Sequence, residues 1–388
     1  MLDTIVLTLN NGMYLIKDPD MFEPSARLIL GDSSSLGGRG YIPAKQNPTK
    51  NELKSGIYKP RLTLTNRYNY TKRVREATLK IELSLPKLLY GNNFDELKQE
   101  DFELVTEKLR KVLQTMGVMV FTKILENAPV SSVHYSKNIP LTDGLTPHYI
   151  IGKIKEANIK LSLDVNQTDY RNEGYSYKWH SNSYEVAFYD KIKDLETSTK
   201  SEKRALEKDN VIQLNLFETF QERKHFEVLR MEVRLNKRQK IGQLFKTLDI
   251  PSDITYKNVF NSTVSQKVLL HYLNEIESKR LALFDYKPAS SKTLLAELIV
   301  QNPDLKLKRI VQIYGLKQIF DTVNPRELRT MFGNKSQRSW YRLIAEAKAI
   351  KLPATQSPLK VVREHLNTFE PLKLIDFQDK MLNNVKYD

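Results

Sequence analysis

The alternation of apolar and polar residues in two segments constrains the fold more than any other feature of the sequence. In "EATLKIELSLP" every second residue from Leu79 to Leu85 is apolar, and in "FEVLRMEVRLNKR" the same holds from Leu229 to Leu235. Successive side chains of a β-strand point to opposite faces, so each segment predicts a strand with one apolar and one polar face. The residues expected to face solvent in the second segment are Arg230, Glu232 and Arg234.

Further segments extend this pattern into a fold class. The opening "TIVLTLN" predicts a first strand, "YKPRLTLTNRYN" predicts a hairpin partner for "EATLKIELSLP", and "SSVHYSKNIPL" predicts a strand ended by Pro140. "DFELVTEKLRKVLQTMG" and "TPHYIIGKIKEANI" show helical spacing, as do the apolar residues after about residue 240. The sequence therefore predicts an α+β fold, with an antiparallel-sheet domain at 1–240 and a helical domain at 241–388.

The charge of the chain favours a polyanionic partner. The sequence has 61 Lys and Arg against 46 Asp and Glu, which gives a net charge of +15. Neutralising phosphates with Lys and Arg is the main source of non-specific affinity for DNA, so we expect a nucleic acid before a membrane. The simpler alternative is a basic protein without such a partner.

Several classes of chemistry are excluded or disfavoured. The chain has no cysteine, which excludes disulfides, zinc–thiolate sites and thiol catalysis. No apolar run reaches the roughly 18 residues of a membrane-spanning helix, and the N-terminus lacks the pattern of a signal peptide. We therefore expect a soluble, cytoplasmic protein. A GxxxxGK[ST] phosphate loop is absent from the sequence, so no nucleotide cofactor is expected.

The segment "YEVAFYDKIKD" suggests a nucleophile. If it is extended, Tyr189 and Lys191 lie on one face, opposite Val186 and Phe188. A tyrosine hydroxyl can attack phosphorus, and its high pKa, ordinarily about 10, requires a cation or metal to stabilise the developing phenolate. Lys191 is placed for that role, or for neutralising the transferred phosphate. The alternative is a half-buried strand that ends in a solvated lysine.

Three further ionisable residues are expected on polar strand faces. Glu82 and His134 are the preferred pair of ligands for Mg²⁺ or Mn²⁺, and Glu232 is the third candidate. Such an ion would polarise a phosphate oxygen. Each residue alone is more typical of a solvated or structural side chain, so the prediction depends on all of them meeting Tyr189 on one side of one sheet.

Three regions suggest contacts with DNA. "KPRLTLTNRYNYTKRVR" combines cations with tyrosines, "YRNEGYSYKWH" carries aromatic residues in a predicted loop, and residues 324–350 have the helix–turn–helix order. A solvated hairpin and ordinary helix packing are the alternatives for the first and the last. The candidate contacts are Arg61, Arg67, Lys72, Arg73, Tyr175, Tyr177, Trp179, Arg338 and Arg342.

These segments together resemble a known family. "MLDTIVLTL" with its acidic third residue, "IELSLPKLLYGNN", "VAFYDK", "LRMEVRL" and "QRSWYRLIAEAKAI" are similar, in this order, to segments of the gene II replication initiators of filamentous phages and related plasmid Rep proteins. That family is part of the HUH endonuclease class. The chain departs from the two-histidine signature of the class, because His134 is followed two residues later by Ser136.

The resemblance implies a function and a setting. It implies a rolling-circle initiator, which nicks one DNA strand at a phage or plasmid origin, forms a 5′-phosphotyrosyl link through Tyr189, and later rejoins the strand. It also implies that Lys191 assists, that a host helicase and polymerase cooperate, and that the cytoplasm is that of a bacterial host. Tyr184 and Tyr170 are candidates for a second tyrosine in closure. An HUH-type transposase or relaxase, or a non-catalytic DNA-binding regulator, remains the alternative.

Overall fold

A computed structural model provides the structure of the protein. It describes residues 1–30, 43–69, 73–142, 144–157, 168–171, 175–200, 227–279, 283, 286–323, 325–353, 357 and 359–373. The strands are β1 Leu2–Leu9, β2 Leu15–Ile16, β3 Ala44–Gln46, β4 Arg61–Asn69, β5 Val74–Ser84, β6 Val118–Met119, β7 Val130–Leu141, β8 Thr168–Arg171, β9 Ser176–His180, β10 Tyr184–Asp190 and β11 Glu227–Leu235. The α-helices are Arg27–Leu30, Lys50–Lys54, Leu85–Tyr90, Phe102–Thr115, Thr122–Glu126, Pro147–Ala157, Lys191–Lys200, Arg238–Thr247, Tyr256–Val259, Ser262–Lys279, Ser291–Gln301, Leu307–Thr322, Pro325–Lys348 and Lys360–Thr368.

The strands confirm the predicted α+β class. Within the described residues, nine strands form one antiparallel sheet in the order β3-β4-β5-β1-β7-β11-β10-β9-β8, and β2 pairs with β6 separately. The predicted hairpin is β4 with β5, paired from Arg61 opposite Glu82 to Asn69 opposite Val74. Strand β7 continues through Pro140 to Leu141, so the predicted end of this strand at Pro140 is wrong by one residue.

One face of the sheet forms the main core. The apolar side chains of β1, β5, β7 and β11 are buried together with those of the helices Phe102–Thr115, Arg238–Thr247, Ser262–Lys279 and Lys360–Thr368. The alternation of the sequence explains this, because a period of two places every second residue of each strand on that face. Near the end of the helix Phe102–Thr115, Gly117 has a φ of +72°, and a Cβ there would lie 2.9 Å from Cβ of Asp18.

A second core lies in the later helices. Buried residues from Leu283 to Ile350 form it, including Leu298, Ile313 and Trp340. The helices Arg238–Thr247 and Ser262–Lys279 instead belong to the core of the sheet. The second cluster thus lies between residues 283 and 350, and the chain returns to the core of the sheet at the helix Lys360–Thr368. The domain boundary at 240 stays a prediction.

The predicted helix–turn–helix segment is a helix with a break. The helix Pro325–Lys348 is interrupted at Ser336, whose φ of −164° and ψ of 103° are extended. The hydroxyl of Ser336 accepts a hydrogen bond from the backbone N–H of Ser339, which is the pattern of an N-cap. The sequence "MFGNKSQ" predicts a turn that contains Gly333, and the break lies three residues after this glycine. None of the described helices is long and apolar enough to cross a lipid bilayer.

Candidate functional site

The second face of the sheet, opposite the main core, carries the predicted catalytic side chains. Directly paired residues of antiparallel strands share a face, and Tyr189 pairs with Arg230, Glu232 with Ser136, and Arg234 with His134. Glu82 belongs to the same face, because it pairs with Val6, which pairs with Ser132, two residues from His134. The strand register therefore places Glu82, His134, Tyr189 and Glu232 on one side of one sheet. We call this side the polar face.

The polar face is more buried than the sequence suggested. Arg230 and Glu232 are each only 2% exposed, so the expectation that they face solvent is wrong. Arg234 is half-buried. The physical reason is that these charges neutralise one another and accept or donate hydrogen bonds, which offsets the cost of removing them from water.

A β-bulge adds an acidic residue to this face. The register of β1 against β7 shifts between Leu2 and Thr4, so Asp3 is an extra residue in β1. Its Oδ2 lies 3.2 Å from Nη2 of Arg230, and its Oδ1 accepts a hydrogen bond of 3.4 Å from the Ser84 hydroxyl. Bulges commonly redirect one side chain near functional sites.

Glu232 is the centre of the hydrogen-bond network. Its Oε2 accepts a hydrogen bond of 3.0 Å from the Tyr189 hydroxyl, and Arg234 donates to both carboxylate oxygens, at 2.9 and 3.2 Å. Nδ1 of His134 lies 3.7 Å from its Oε1. Arg234 also contacts Glu185 at 2.8 Å. The carboxylate thus orients the phenol while the arginine orients the carboxylate.

The surroundings change the acidity of these groups. Burial opposes ionisation of Glu232, but Arg234 and then Arg230 hold the pKa of this carboxyl well below its usual range. Burial, and then the charge of Glu232, raise the pKa of the Tyr189 hydroxyl well above its usual value. Burial lowers the pKa of His134, against the opposing effect of Glu232. The resting network therefore holds a carboxylate, a neutral phenol and a neutral imidazole at pH 7.

Arg230 is fixed by its neighbours. Besides Asp3, its guanidinium donates to the Asn93 carbonyl at 2.8 Å, to the Ser136 hydroxyl at 2.8 Å and to Oδ1 of Asn138 at 3.2 Å. All of these bonds use the terminal nitrogens, and Nε of Arg230 has no hydrogen-bond partner in the described part of the chain.

The sequence predicts that Lys191 continues the strand of Tyr189, and this prediction is wrong. Strand β10 ends at Asp190, whose side chain accepts a hydrogen bond of 3.0 Å from the backbone N–H of Lys193 and so caps the helix Lys191–Lys200. Lys191 is the first residue of that helix and is fully buried. Its Nζ still lies 6.0 Å from the centroid of the Tyr189 ring. The two predicted residues are therefore close together, although Lys191 belongs to a helix and not to the strand.

The predicted metal ligands are only partly brought together. His134 and Glu232 are neighbours, but β1 separates Glu82 from β7, which places Glu82 and His134 about 10 Å apart across the sheet. Glu82 is exposed beside Val6 and Arg61. Among the described residues no group of three His, Asp or Glu has the spacing of a metal site, and both oxygens of Glu232 already hold Arg234. The residues in this arrangement do not fit the predicted three-ligand set.

The predicted aromatic contacts with DNA are corrected in part. Tyr177 is fully buried and Trp179 is 9% exposed, because β9 places both on the core face, where Trp179 stacks on Phe188 with ring centroids 6.1 Å apart. They are therefore not available to stack on bases. Tyr175 is half-buried, and its ring contacts Nζ of Lys193. Tyr184 also lies on the core face and contacts Tyr272, so it is not beside Tyr189.

The remaining candidate contacts stay predictions. Arg61 is half-buried on β4 and Arg73 is exposed at the hairpin turn, while Arg338 and Arg342 are exposed on the second half of the broken helix. Lys72 and the side chains of Arg67 and Tyr170 lie outside the described residues.

Sequence reasoning missed Arg230, Arg234 and Glu185 as members of the site. The sequence shows that these residues alternate with apolar residues, but it does not show that the polar face of the sheet is buried. Asp3 was noted only through the resemblance, since a bulge leaves no pattern in a single strand.

Comparison with protein-family models, with curated proteins and with solved structures finds no match for this chain.

Proposed function

We propose that the protein is a tyrosine-dependent DNA strand transferase that initiates rolling-circle replication of a phage or plasmid. The observation that carries the proposal is the Tyr189 hydroxyl held 3.0 Å from the Glu232 carboxylate, with three cationic side chains, Lys191, Arg230 and Arg234, nearby. A phenol paired with a base and set among cations suits attack on a phosphodiester. The charge of +15 supports a nucleic acid as substrate.

In the proposed first step, the Tyr189 oxygen attacks a backbone phosphorus. A new bond forms between this oxygen and phosphorus, and the bond from phosphorus to the 3′ oxygen of the preceding nucleotide breaks. The proton of the phenol passes through Glu232 to solvent as the new bond forms, because the low pKa of this carboxyl returns it to the carboxylate. The 3′ oxygen takes up a proton from solvent water and leaves as a hydroxyl.

Rejoining is the reverse of this reaction. A 3′ hydroxyl attacks the phosphotyrosine and loses its proton to solvent, the bond between phosphorus and the Tyr189 oxygen breaks, and the phenol regains a proton that Glu232 relays from solvent. No nucleotide is consumed, because the phosphotyrosine retains the energy of the phosphodiester. This agrees with the absence of a phosphate-loop motif from the sequence.

A requirement for Mg²⁺ or Mn²⁺, predicted from Glu82, His134 and Glu232, remains part of the proposal. Because the predicted three ligands do not assemble among the described residues, no step above is assigned to an ion. A host helicase and polymerase, and a bacterial cytoplasm, are proposed from the resemblance of the sequence segments. A transposase or relaxase of the HUH type would use the same tyrosine chemistry on different DNA.

A matched pair of variants tests the proposal. Glu232→Gln keeps the shape that holds Tyr189 but cannot accept its proton, whereas Glu185→Gln removes a partner of Arg234 that does not touch the phenol. With a supercoiled plasmid carrying the cognate origin, we expect Glu232→Gln to slow nicking by roughly 10²- to 10⁴-fold. Glu185→Gln should change it far less.

Two results of these nicking assays would contradict the proposal. If Glu232→Gln nicks as fast as Glu185→Gln, the carboxylate does not take the proton. If the wild-type protein binds the origin plasmid but never nicks it, the chain is better described as a DNA-binding regulator.

A further inference from the structure

Two buried cations, Lys191 and Arg230, lie beside Tyr189, and of the two Arg230 is paired with Asp3 at 3.2 Å. Lys191 is fully buried and Arg230 is 2% exposed. Within the described residues, neither Nζ of Lys191 nor Nε of Arg230 has a hydrogen-bond partner. The carboxylate closest to Lys191 among these residues is Oδ2 of Asp194, at 3.9 Å, which is beyond hydrogen-bond distance.

Such an arrangement is costly without a ligand. An ammonium removed from water loses its hydration, and a second cation beside it adds repulsion. Arg230 and burial together lower the pKa of Lys191 to about 7. Lys191 also begins a helix, whose first turn carries a partial positive charge. Each of these costs decreases if an anion with several acceptor oxygens lies between the two side chains.

Both cations converge on Tyr189. Arg230 is paired directly opposite Tyr189 in the sheet, and Nζ of Lys191 is 6.0 Å from the ring centroid. Glu232 contacts the hydroxyl of the same ring and donates no hydrogen bond as a carboxylate. A phosphoryl group on that oxygen would be repelled by Glu232 and attracted toward Lys191 and Arg230. Tyr189 itself is half-buried.

We propose that Lys191 and Arg230 form a binding site for a tetrahedral oxyanion, which holds the phosphoryl group carried by Tyr189. This inference rests on the proposed function for the identity of the occupant. It assigns the retention of the covalent intermediate to the two buried cations, and it gives Arg230 a role beyond its structural hydrogen bonds.

Sulfate is the probe for this site, because it is a tetrahedral dianion that does not titrate near neutral pH. Calorimetric titration at pH 7 in two buffers of different ionisation enthalpy measures both the Kd and the protons taken up. We expect wild type and the control Lys193→Met to bind sulfate with equal Kd, and Lys191→Met to bind at least tenfold more weakly. We also expect wild type to take up a fraction of a proton as the ammonium becomes fully charged, and Lys191→Met to take up none.

The charged groups around Lys191 define what else could respond. They are Arg230 and Glu232 from β11, Asp3 from β1 and Asp194 from its own helix. Proton uptake that occurs in wild type and is absent from Lys191→Met comes from Lys191 and not from these neighbouring groups. The test stays decisive whatever the stability of the variant, because absence of sulfate binding by the wild type alone overturns the inference.

Failure of the inference differs from failure of the proposed function. A protein that nicks its origin but ignores sulfate performs the reaction without this site. A protein that binds sulfate through Lys191 but never forms a covalent link to DNA has the site without the proposed reaction. Equal sulfate binding by wild type and Lys191→Met contradicts the site in either case.

Discussion

Replacing Lys191 with methionine should change how stability depends on pH. Lys191 is fully buried, and its pKa is lowered from 10.5 to about 7 by burial and by Arg230. At about 1.4 kcal/mol for each tenfold change in protonation, keeping this ammonium charged in the folded state costs about 5 kcal/mol. Methionine has a similar length and no charge, so Lys191→Met removes this cost.

The direction of this pH dependence follows from the number of protons that the folded and unfolded states bind. Between pH 7 and 10.5 the unfolded chain binds more protons at this position than the folded chain, so the free energy of unfolding of the wild type rises with pH over this range. Below pH 7 both states are protonated and this contribution is constant. From pH 7 to pH 9 the wild type should gain about 2 kcal/mol from this lysine alone.

Urea denaturation of wild type and Lys191→Met at several pH values between 6 and 9 measures the effect. We expect the variant to be the more stable protein at pH 7, and its advantage to shrink by about 2 kcal/mol by pH 9. Lys193→Met, on the same helix, serves as the baseline for the loss of a lysine near the sheet. A constant difference between Lys191→Met and wild type over this range would show that Lys191 is not buried as a charge beside Arg230.

Three further outcomes are expected. Glu232→Gln should slow nicking by roughly 10²- to 10⁴-fold relative to Glu185→Gln, as measured on supercoiled plasmid. Glu82→Ala should leave the dependence of nicking on Mn²⁺ unchanged, because Glu82 lies two strands from His134; a higher Mn²⁺ requirement would restore it as a ligand. Replacing Arg338 and Arg342 together with Ala should weaken binding to duplex DNA and reduce the slope of log K against log salt by about 2, if each contacts one phosphate. An unchanged slope would place the DNA elsewhere.

Much of the fold could be predicted from local patterns. The strand β11 and the helix Phe102–Thr115 follow directly from apolar periods of 2 and 3.6, which reflect how each element presents one face to a core. The start of the helix Lys191–Lys200 was not predicted, because "FYDKIKD" suits an extended strand as well, and the capping hydrogen bond from Lys193 to Asp190 marks the change of element. Residues 194–210 had been predicted as a linker or a solvated helix.

The composition of the site was harder to predict than its position. Tyr189, His134 and Glu232 were correctly expected to share a face, since strand register preserves side-chain alternation across a sheet. The burial of Arg230 was not expected, because an arginine that alternates with apolar residues is ordinarily solvated. Its four protein partners come from positions far apart in the sequence, and no local pattern indicates them.

The most direct test of the proposed chemistry is the mass of the tyrosine that becomes linked to DNA. Wild-type protein is incubated with the cognate origin, digested with nuclease and protease, and the peptides that retain a nucleotide 5′-phosphate are sequenced by mass spectrometry. The proposal expects the added mass on Tyr189, and none in Tyr189→Phe. An adduct on another residue, or nicking that persists undiminished in Tyr189→Phe, would contradict it.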